Sequence, residues 1–400
     1  RSTLFPYTTL FRSLAEIDAP QPKGGTPQPK TAAMQGDFFG TLFDVAEKEE
    51  TLPRKTETEI ETVTSLTDIR TTPHHYRMVS TEEEMRELND RLCAQPSVCF
   101  DTETTGIDPI QSELVGLSFA FREGEAFYVP IAAERRIARE QVEIFRPFFE
   151  DARIDKIGQN LKYDILELRN YDIRVRGALF DTMVAHYLIN PEIRHGMDDM
   201  AETYLKYRTI HIEELIGPKG KNQMNMREVE PTIVADYAAE DADITLKLKN
   251  RLEKELREHH LEALFYDIEA PLIYVLAEME WTGVRLDLEA LDELSKQHTE
   301  ALAAIEKEIT DMAGIDFNVN SPKQTGEVLF DHLKIVEKPK KTKTGQYKTG
   351  EEELLKIRSR HPIIGKILEQ RELKKLLSTY IDAFPLLVNP KTGKIHTSFN

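Results

Sequence analysis

The sequence predicts an α/β domain followed by a mainly helical region. Three observations carry this. Short β-branched and aromatic runs cluster between residues 76 and 130, amphipathic helix-length stretches take over to about residue 260, and from Leu261 onward only long helices are read. Four hundred residues exceed what one hydrophobic core organises, so two or three domains of ~150 residues are expected. With 40% hydrophobic and 30% charged residues, the composition is that of a soluble globular protein, not of a fibre or a wholly disordered chain. No run approaches the ~18 consecutive apolar residues of a membrane-spanning helix, which excludes an integral membrane protein of that type.

Residues 1–13, RSTLFPYTTLFRS, look like a translated sequencing adapter and are set apart from the fold. Residues 14–73, rich in Pro, Gly, Gln, Thr and charge, read as a disordered tether with one apolar island at Phe38, Phe39, Leu42 and Phe43. Tyr76–Val79 is a short strand, and Thr81 with Glu84 three residues on is a capping box that starts a helix. Val98-Cys-Phe100, Leu114–Phe121 and Ala126–Pro130 are strands. Helices are expected over Glu140–Glu150, Leu161–Asn170, Asp181–Asn190, Met197–Tyr204 and Thr232–His259, which places an α/β domain at 74–260. The region 261–400 carries helices over Leu261–Trp281, Leu288–Ala313 and His361–Leu387, a strand-like break at Gly283–Asp287, and a lysine-rich loop at 338–348.

Charge divides along the same lines. The net charge is −18, yet Lys334–Lys394 holds 15 Lys and Arg against 7 Asp and Glu, a local +8 that leaves −26 on the rest. An acidic part suited to cations is thus joined to a basic part suited to phosphates. Cys93 and Cys99 are too few for a disulfide framework or a zinc cluster and read as reduced, buried thiols of a cytoplasmic protein.

Three short words carry chemistry. In Phe100-Asp101-Thr102-Glu103-Thr104 the alternation of a strand puts Asp101 and Glu103 on one face. Two neighbouring carboxylates repel unless something positive joins them, and oxygen-only ligands suit magnesium or manganese. In Gly158-Gln159-Asn160-Leu-Lys162-Tyr163-Asp164, Asn160 and Asp164 share a helical face, as do Tyr237 and Asp241 in Tyr237-Ala-Ala-Glu240-Asp241-Ala-Asp243, where Glu240 and Asp243 point elsewhere. Each word alone also suits a solvated acidic surface or an N-capping Asn. A phosphate-cradling GxxxxGK[ST] loop and a HExxH zinc motif do not occur.

Together, the order DxE, then D, then YxxxD resembles the DEDD exonuclease superfamily in its tyrosine-bearing branch, with an RNase H-like (DnaQ-like) fold. The words VCFDTETTG, LVGLSFA, IGQNLKYD, GKNQM and DYAAEDADITL are similar to the proofreading domain of the bacterial DNA polymerase I family (family A). WTGVRLD, FNVNSPKQTGEVLF, LEQRELKKLLSTYIDAFP and NPKTGKIHTSFN extend the resemblance into the thumb-side helices of that family, so that it covers about 74–400.

The resemblance implies a mixed sheet flanked by helices, then a thumb-like helical region. It implies a 3′-5′ exonuclease removing nucleoside monophosphates from DNA ends, in the context of replication and repair. Asp101, Glu103 and Asp241 would hold one divalent cation, with Asp101 bridging to a second that Asp164 supports. Magnesium is the first choice, manganese or zinc the alternatives. Tyr237 would orient the attacking water with help from Glu103. Gln159, Asn160 and Lys162 would contact the terminal nucleotides, and Ile107 would wedge the end base. Met224 and Met226 stand where relatives often place an aromatic. The expected partner is DNA, as single-stranded or frayed 3′ ends at the acidic site and as duplex along Phe317–Leu333 and the +8 segment. The expected state is a monomer, without a membrane, in the bacterial cytoplasm near the nucleoid. The family's palm and fingers residues fall beyond His396–Asn400, so no primer extension is expected from these 400 residues.

Overall fold

Strand β2 (Ser97–Thr104) organises the fold because its two faces have opposite tasks. Val98 and Phe100 are apolar and buried, and Phe100 meets Phe148 and Phe149 edge-on at 6.5 and 5.2 Å between ring centroids. Cys99, Asp101 and Glu103 project from the other side. The computed structural model describes residues 66–400 except Lys221 and Asn400, so residues 1–65, including the adapter-like segment and the Phe38–Phe43 island, lie outside the described residues.

The sheet has six strands: β1 (His75–Met78), β2, β3 (Leu114–Arg122), β4 (Glu125–Pro130), β5 (Asp155–Gly158) and β6 (Leu179–Asp181), in the order β1-β4-β3-β2-β5-β6. β2–β3–β4 form an antiparallel meander, whereas β1, β5 and β6 add in parallel, making the sheet mixed. The β2–β3 register shifts after Glu103, so pairing becomes irregular beside the acidic residues. Gly116 lies opposite Glu103, and a Cβ there would come within 2.2 Å of the Tyr128 ring, so only glycine admits that ring.

Helices cover the sheet. These are α1 (Glu82–Cys93), α2 (Arg135–Ile144), α3 (Arg146–Phe149), α4 (Leu161–Arg169), α5 (Thr182–Ile189), α6 (Met197–Met200), α7 (Ile212–Ile216) and the 28-residue α8 (Pro231–Glu258). The Thr81–Glu84 capping box is present at the start of α1. α8 packs along β3, β4 and β2, burying Ala238, Ala242 and Ile244, small or branched residues that let a long helix approach a sheet closely.

The chain continues through α9 (Glu262–Leu264), a wide turn at Phe265–Glu269, α10 (Ala270–Thr282), α11 (Leu288–Ala313), α12 (Pro322–Glu327), α13 (Glu351–Lys356) and α14 (Pro362–Leu376). A second apolar cluster, including Ile309, Leu329, Leu354, Ile363 and Ile367, is built from α11, α13, α14 and the turn after α12. The break after α10 pairs Val284 with Ile395, and the lysine-rich loop is a small hairpin in which Lys341 bridges Tyr347. Among the described residues no helix is long and apolar enough to cross a membrane.

Three expectations need correction. The tether does not extend to residue 73: Thr67 bridges Tyr207, and the Asp68 carboxylate caps the turn to Thr71, so backbone and side-chain bonds order this end. The helix expected over Glu140–Glu150 begins earlier and breaks at Phe145, giving α2 and α3. The helix expected over Met197–Tyr204 is present, as α6 continued by a π-helical turn over Ala201–Leu205. The terminal helix ends at Leu376, with a wide turn and a short 3-10 turn carrying the chain to Leu387.

Candidate active site

The DxE pair, on the end of a central strand, and Asp241, on α8, meet as the residue types predict. One oxygen from each of Asp101, Glu103 and Asp241 lies within 4.8 Å of the others. Glu103 and Asp241 are buried and Asp101 is half-buried. Oε1 of Glu103 and Oδ1 of Asp241 are shut away from solvent with no hydrogen-bond partner. Orphaned buried carboxylate oxygens are costly and rare. A magnesium ion with ligands at about 2.1 Å places opposite ligand oxygens about 4.2 Å apart, so a small contraction would let these three grip a hard cation. The donor set, all anionic oxygen, fits magnesium or manganese.

Asp164 is brought in from the far side of β2. It is 2% exposed, and its Oδ1 accepts both the N–H of Thr102 at 3.1 Å and the Thr102 hydroxyl at 2.6 Å. Tyr237, one turn before Asp241 on α8, turns its phenol toward the same carboxylates.

Burial and like charge raise the carboxyl pKa values across this cluster. Burial holds the Asp101 carboxyl up at about 7. Burial and then Asp101 push Glu103 and Asp164 well above the carboxylate range, and burial, Asp101 and Glu103 do the same for Asp241. Burial, then Asp241 and Glu103, raise the Tyr237 phenol, so it stays protonated. Four acids that mutually suppress ionisation are what a site looks like when its charge is meant to be balanced by a cation.

The neighbouring acids do other work, as their spacing on α8 predicts. Glu240 accepts the Tyr207 hydroxyl and the Ile210 N–H, both at 2.6 Å. Asp243 accepts from Tyr76 at 2.8 Å, from the Gly124 N–H at 2.7 Å and from Lys247 at 2.8 Å. Asp243 thus lashes α8 to β1 and the β3–β4 turn, and Glu240 lashes it to the Tyr207–Ile210 segment, which fixes where Asp241 stands.

The other residues assigned by resemblance are in varied positions. Ile107 is 87% exposed at the tip of the loop after β2. That loop is held by the Tyr163 hydroxyl, 2.5 Å from both Thr104 Oγ1 and the Gly106 carbonyl, and by Asn225, which donates to the Thr105 carbonyl at 2.8 Å. Asn160 is exposed, in the left-handed region at φ +59°, which Asn tolerates; its side chain does not cap α4. Gln159 is committed at both ends of its amide: Nε2 donates to the His195 carbonyl at 2.9 Å, and Oε1 accepts from Thr182. Lys162 is ion-paired to Glu280 on α10 at 2.7 Å and donates to the Phe399 carbonyl. Met226 is core, 4% exposed, packed with Val115 and Tyr128, while Met224 is 46% exposed.

Sequence reasoning missed four supporting residues. Thr102 holds Asp164. Asp181 caps α5 and also accepts the N–H groups of Asn160 and Leu161 at 3.2 and 2.7 Å, so one buried carboxylate starts two helices. Arg227 donates to the carbonyls of Ile131, at 3.0 Å, and Leu114, seating the Asn225 turn on the sheet. Glu280 neutralises Lys162. Only the capping Asp before α5 leaves a local signal.

Comparisons with known proteins bear on both regions of the chain. Residues 76–257 match a family described as 3′-5′ exonuclease, and residues 288–400 match DNA polymerase family A. DNA polymerase I of Chloroflexus aurantiacus is 40% identical over 325 residues, covering 79% of this chain and 34% of the relative. That of Pseudomonas aeruginosa is 40% identical over 314 residues, covering 76% and 34%, and that of Borreliella burgdorferi 38% over 346, covering 84% and 37%. The chain thus spans about a third of the length of these relatives. A solved structure, the POL domain of Pol1 from M. smegmatis in complex with DNA primer-template and dNTP, shares the fold, with a TM-score of 0.65 and 24% identity over 81% of this chain and 52% of that one.

Proposed function

Since the chain belongs to the bacterial DNA polymerase I family, with a 3′-5′ exonuclease domain followed by a family A polymerase region, we propose that its acidic site removes nucleoside monophosphates from DNA 3′ ends with two divalent cations. The observation that carries this reading is the convergence of Asp101, Glu103 and Asp241 with two unpartnered buried oxygens, backed by Asp164 and the protonated phenol of Tyr237.

Asp101, Glu103 and Asp241 would hold one cation, and Asp101 with Asp164 the second; magnesium suits them, with manganese or zinc as alternatives. When bound, a pair of such ions acidifies the attacking water and stabilises the charge of an in-line phosphodiester displacement. The chain's own residues then orient the reaction. Tyr237, which burial keeps protonated, donates a hydrogen bond to the water, and Glu103 accepts one from it. Asn160 stands at the mouth for the terminal nucleotide, and exposed Ile107 separates the end base from its neighbour. The committed amide of Gln159 shapes that mouth through the His195 and Thr182 contacts. Frayed ends enter most readily because their unpairing cost is already met, which favours mismatched termini.

The named relatives and the DNA-bound structural neighbour support DNA as the partner. Residues 74–260 would form the exonuclease domain and 261–400 the start of a thumb that grips duplex, the whole acting as a monomer in the bacterial cytoplasm. The test is release of labelled mononucleotide from a 3′-labelled single strand in magnesium. The wild-type chain should release it; the double variant D101A/E103A should keep its fold and release none. Unchanged release by that variant refutes the assignment.

A further inference from the structure

α4 carries two cations seven residues apart, and both are met by acids of α10. Lys162 pairs with Glu280 at 2.7 Å and Arg169 with Glu278, while the Arg169 guanidinium lies 5.7 Å from the Trp281 ring centroid. The two pairs differ in kind. The Glu278 side chain is 59% exposed, whereas the Lys162 and Glu280 side chains are 14% and 6% exposed, so the second pair is largely desolvated. The segment after Lys394 closes over it: Phe399 donates its N–H to Glu280 Oε1 at 2.6 Å and offers its carbonyl to Lys162, and His396 Nδ1 bonds the Glu280 carbonyl at 2.7 Å. Val284 and Ile395 exchange two backbone bonds, at 2.8 and 2.9 Å, that hold this segment beside α10.

Lys162 lies in the first turn of α4, in the same turn as Asn160 and Asp164 but on a different helical face, and the substrate proposed above is a polyanion. An acid that silences its charge works against binding that substrate. We propose that Glu280, with the Phe399 backbone, is a latch that withholds Lys162 from the strand, so that the exonuclease site's grip on a 3′ end is set from α10. The inference rests on the nuclease reading above. An incoming phosphate and Glu280 compete for one ammonium, and the strand gains this contact only when the latch opens. Glu280 is a positioning residue and touches no reacting atom.

The salt dependence of binding reads this directly. Each phosphate of a single strand neutralised by a protein cation adds about 0.7 to the slope of log K against log salt. Binding of a single-stranded oligonucleotide ending in a 3′ phosphorothioate linkage is measured at fixed magnesium. E280Q should tighten binding and steepen the slope by about 0.7, and the effect should vanish in a K162A background. E278Q is the control: Arg169 lies some 10 Å further along α4 at ~1.5 Å per residue, so the slope should not change. E280D, which keeps the charge but withdraws it from Nζ, should give a smaller rise and carries the test if E280Q does not fold. An unchanged or shallower slope in E280Q, or the same rise in E278Q, overturns the latch while the nuclease assignment stands. Absence of nucleotide release by the wild-type chain overturns both.

Discussion

Thr102 and Asp164 are joined by two hydrogen bonds to a single oxygen, from the Thr102 N–H at 3.1 Å and from its hydroxyl at 2.6 Å. β2 therefore supplies the site from both of its faces. Asp101 and Glu103 project from one, and the residue between them anchors the fourth acid from the other. Replacing Thr102 by Val keeps the shape and the N–H but removes the hydroxyl. A hydrogen bond to a charged group contributes about 1.5–3 kcal/mol, and loss of a partner behind a metal ligand costs about 10–100-fold in activity. T102V should thus lose at least tenfold in nucleotide release and T102S little; equal activity in all three would show that Asp164 needs no anchor.

Tyr237 makes a sharper case, because its hydroxyl can be removed without touching an acid. Burial and the neighbouring carboxylates hold the phenol protonated across the working range, so its O–H stays available to donate. Losing one positioned donor costs about a hundredfold. Y237F should therefore lower kcat by about that factor with KM nearly unchanged and the melting temperature no lower. A fall in KM-limited binding with kcat preserved would instead make Tyr237 a substrate contact.

Local chemistry explains what was legible in the sequence. The DxE spacing, the i,i+4 pair Tyr237–Asp241 and the bounds of α8 and α11 are set within one element, so residue types and period suffice. β5 and β6 escaped notice because they have only four and three residues, and β5 contains Lys156. That lysine is fully buried and is satisfied by the Asp151 and Ile154 carbonyls at 2.8 Å, a compensation no hydrophobic pattern announces. Thr102, Asp181, Arg227 and Glu280 act on residues up to 119 positions away, through contacts that exist only once the sheet and α10 are assembled. The resemblance assigned Gln159 and Lys162 to the nucleotide, yet tertiary partners occupy both.

Glu167 provides a pH signature separate from the acidic cluster. It is fully buried on α4; Ser112 donates to its Oε2 at 2.6 Å, while Oε1 has no partner. Burial raises its pKa to about 7. With the folded value above the unfolded one, its contribution is fully present below the unfolded pKa and is lost as pH rises through about 7. Wild-type melting should therefore fall between pH 5 and 8, with a contribution from this group on the order of 1–3 kcal/mol, and E167Q should show a shallower fall. Parallel profiles for the two chains would remove Glu167 from the account.

The same sign rule, applied to the acidic cluster, separates a metal site from an accident of packing. Asp101, Glu103, Asp164 and Asp241 all have folded pKa values raised by burial. Without metal, their share of stability is present below their unfolded values near pH 4 and is lost as pH rises, through about 7 for Asp101. Magnesium should reverse that loss, because it binds the ionised folded site and not the unfolded chain; at a hundredfold excess over Kd the gain is about 2.7 kcal/mol. D101N relieves repulsion and removes a ligand together, so at pH 8 it should melt higher than wild type without metal and respond little to added magnesium. The Glu167 slope should persist in both, since that carboxylate is bonded to Ser112 and not to the cluster. If magnesium leaves wild-type melting unchanged at pH 8, or stabilises D101N equally, the three converging oxygens do not form a cation site.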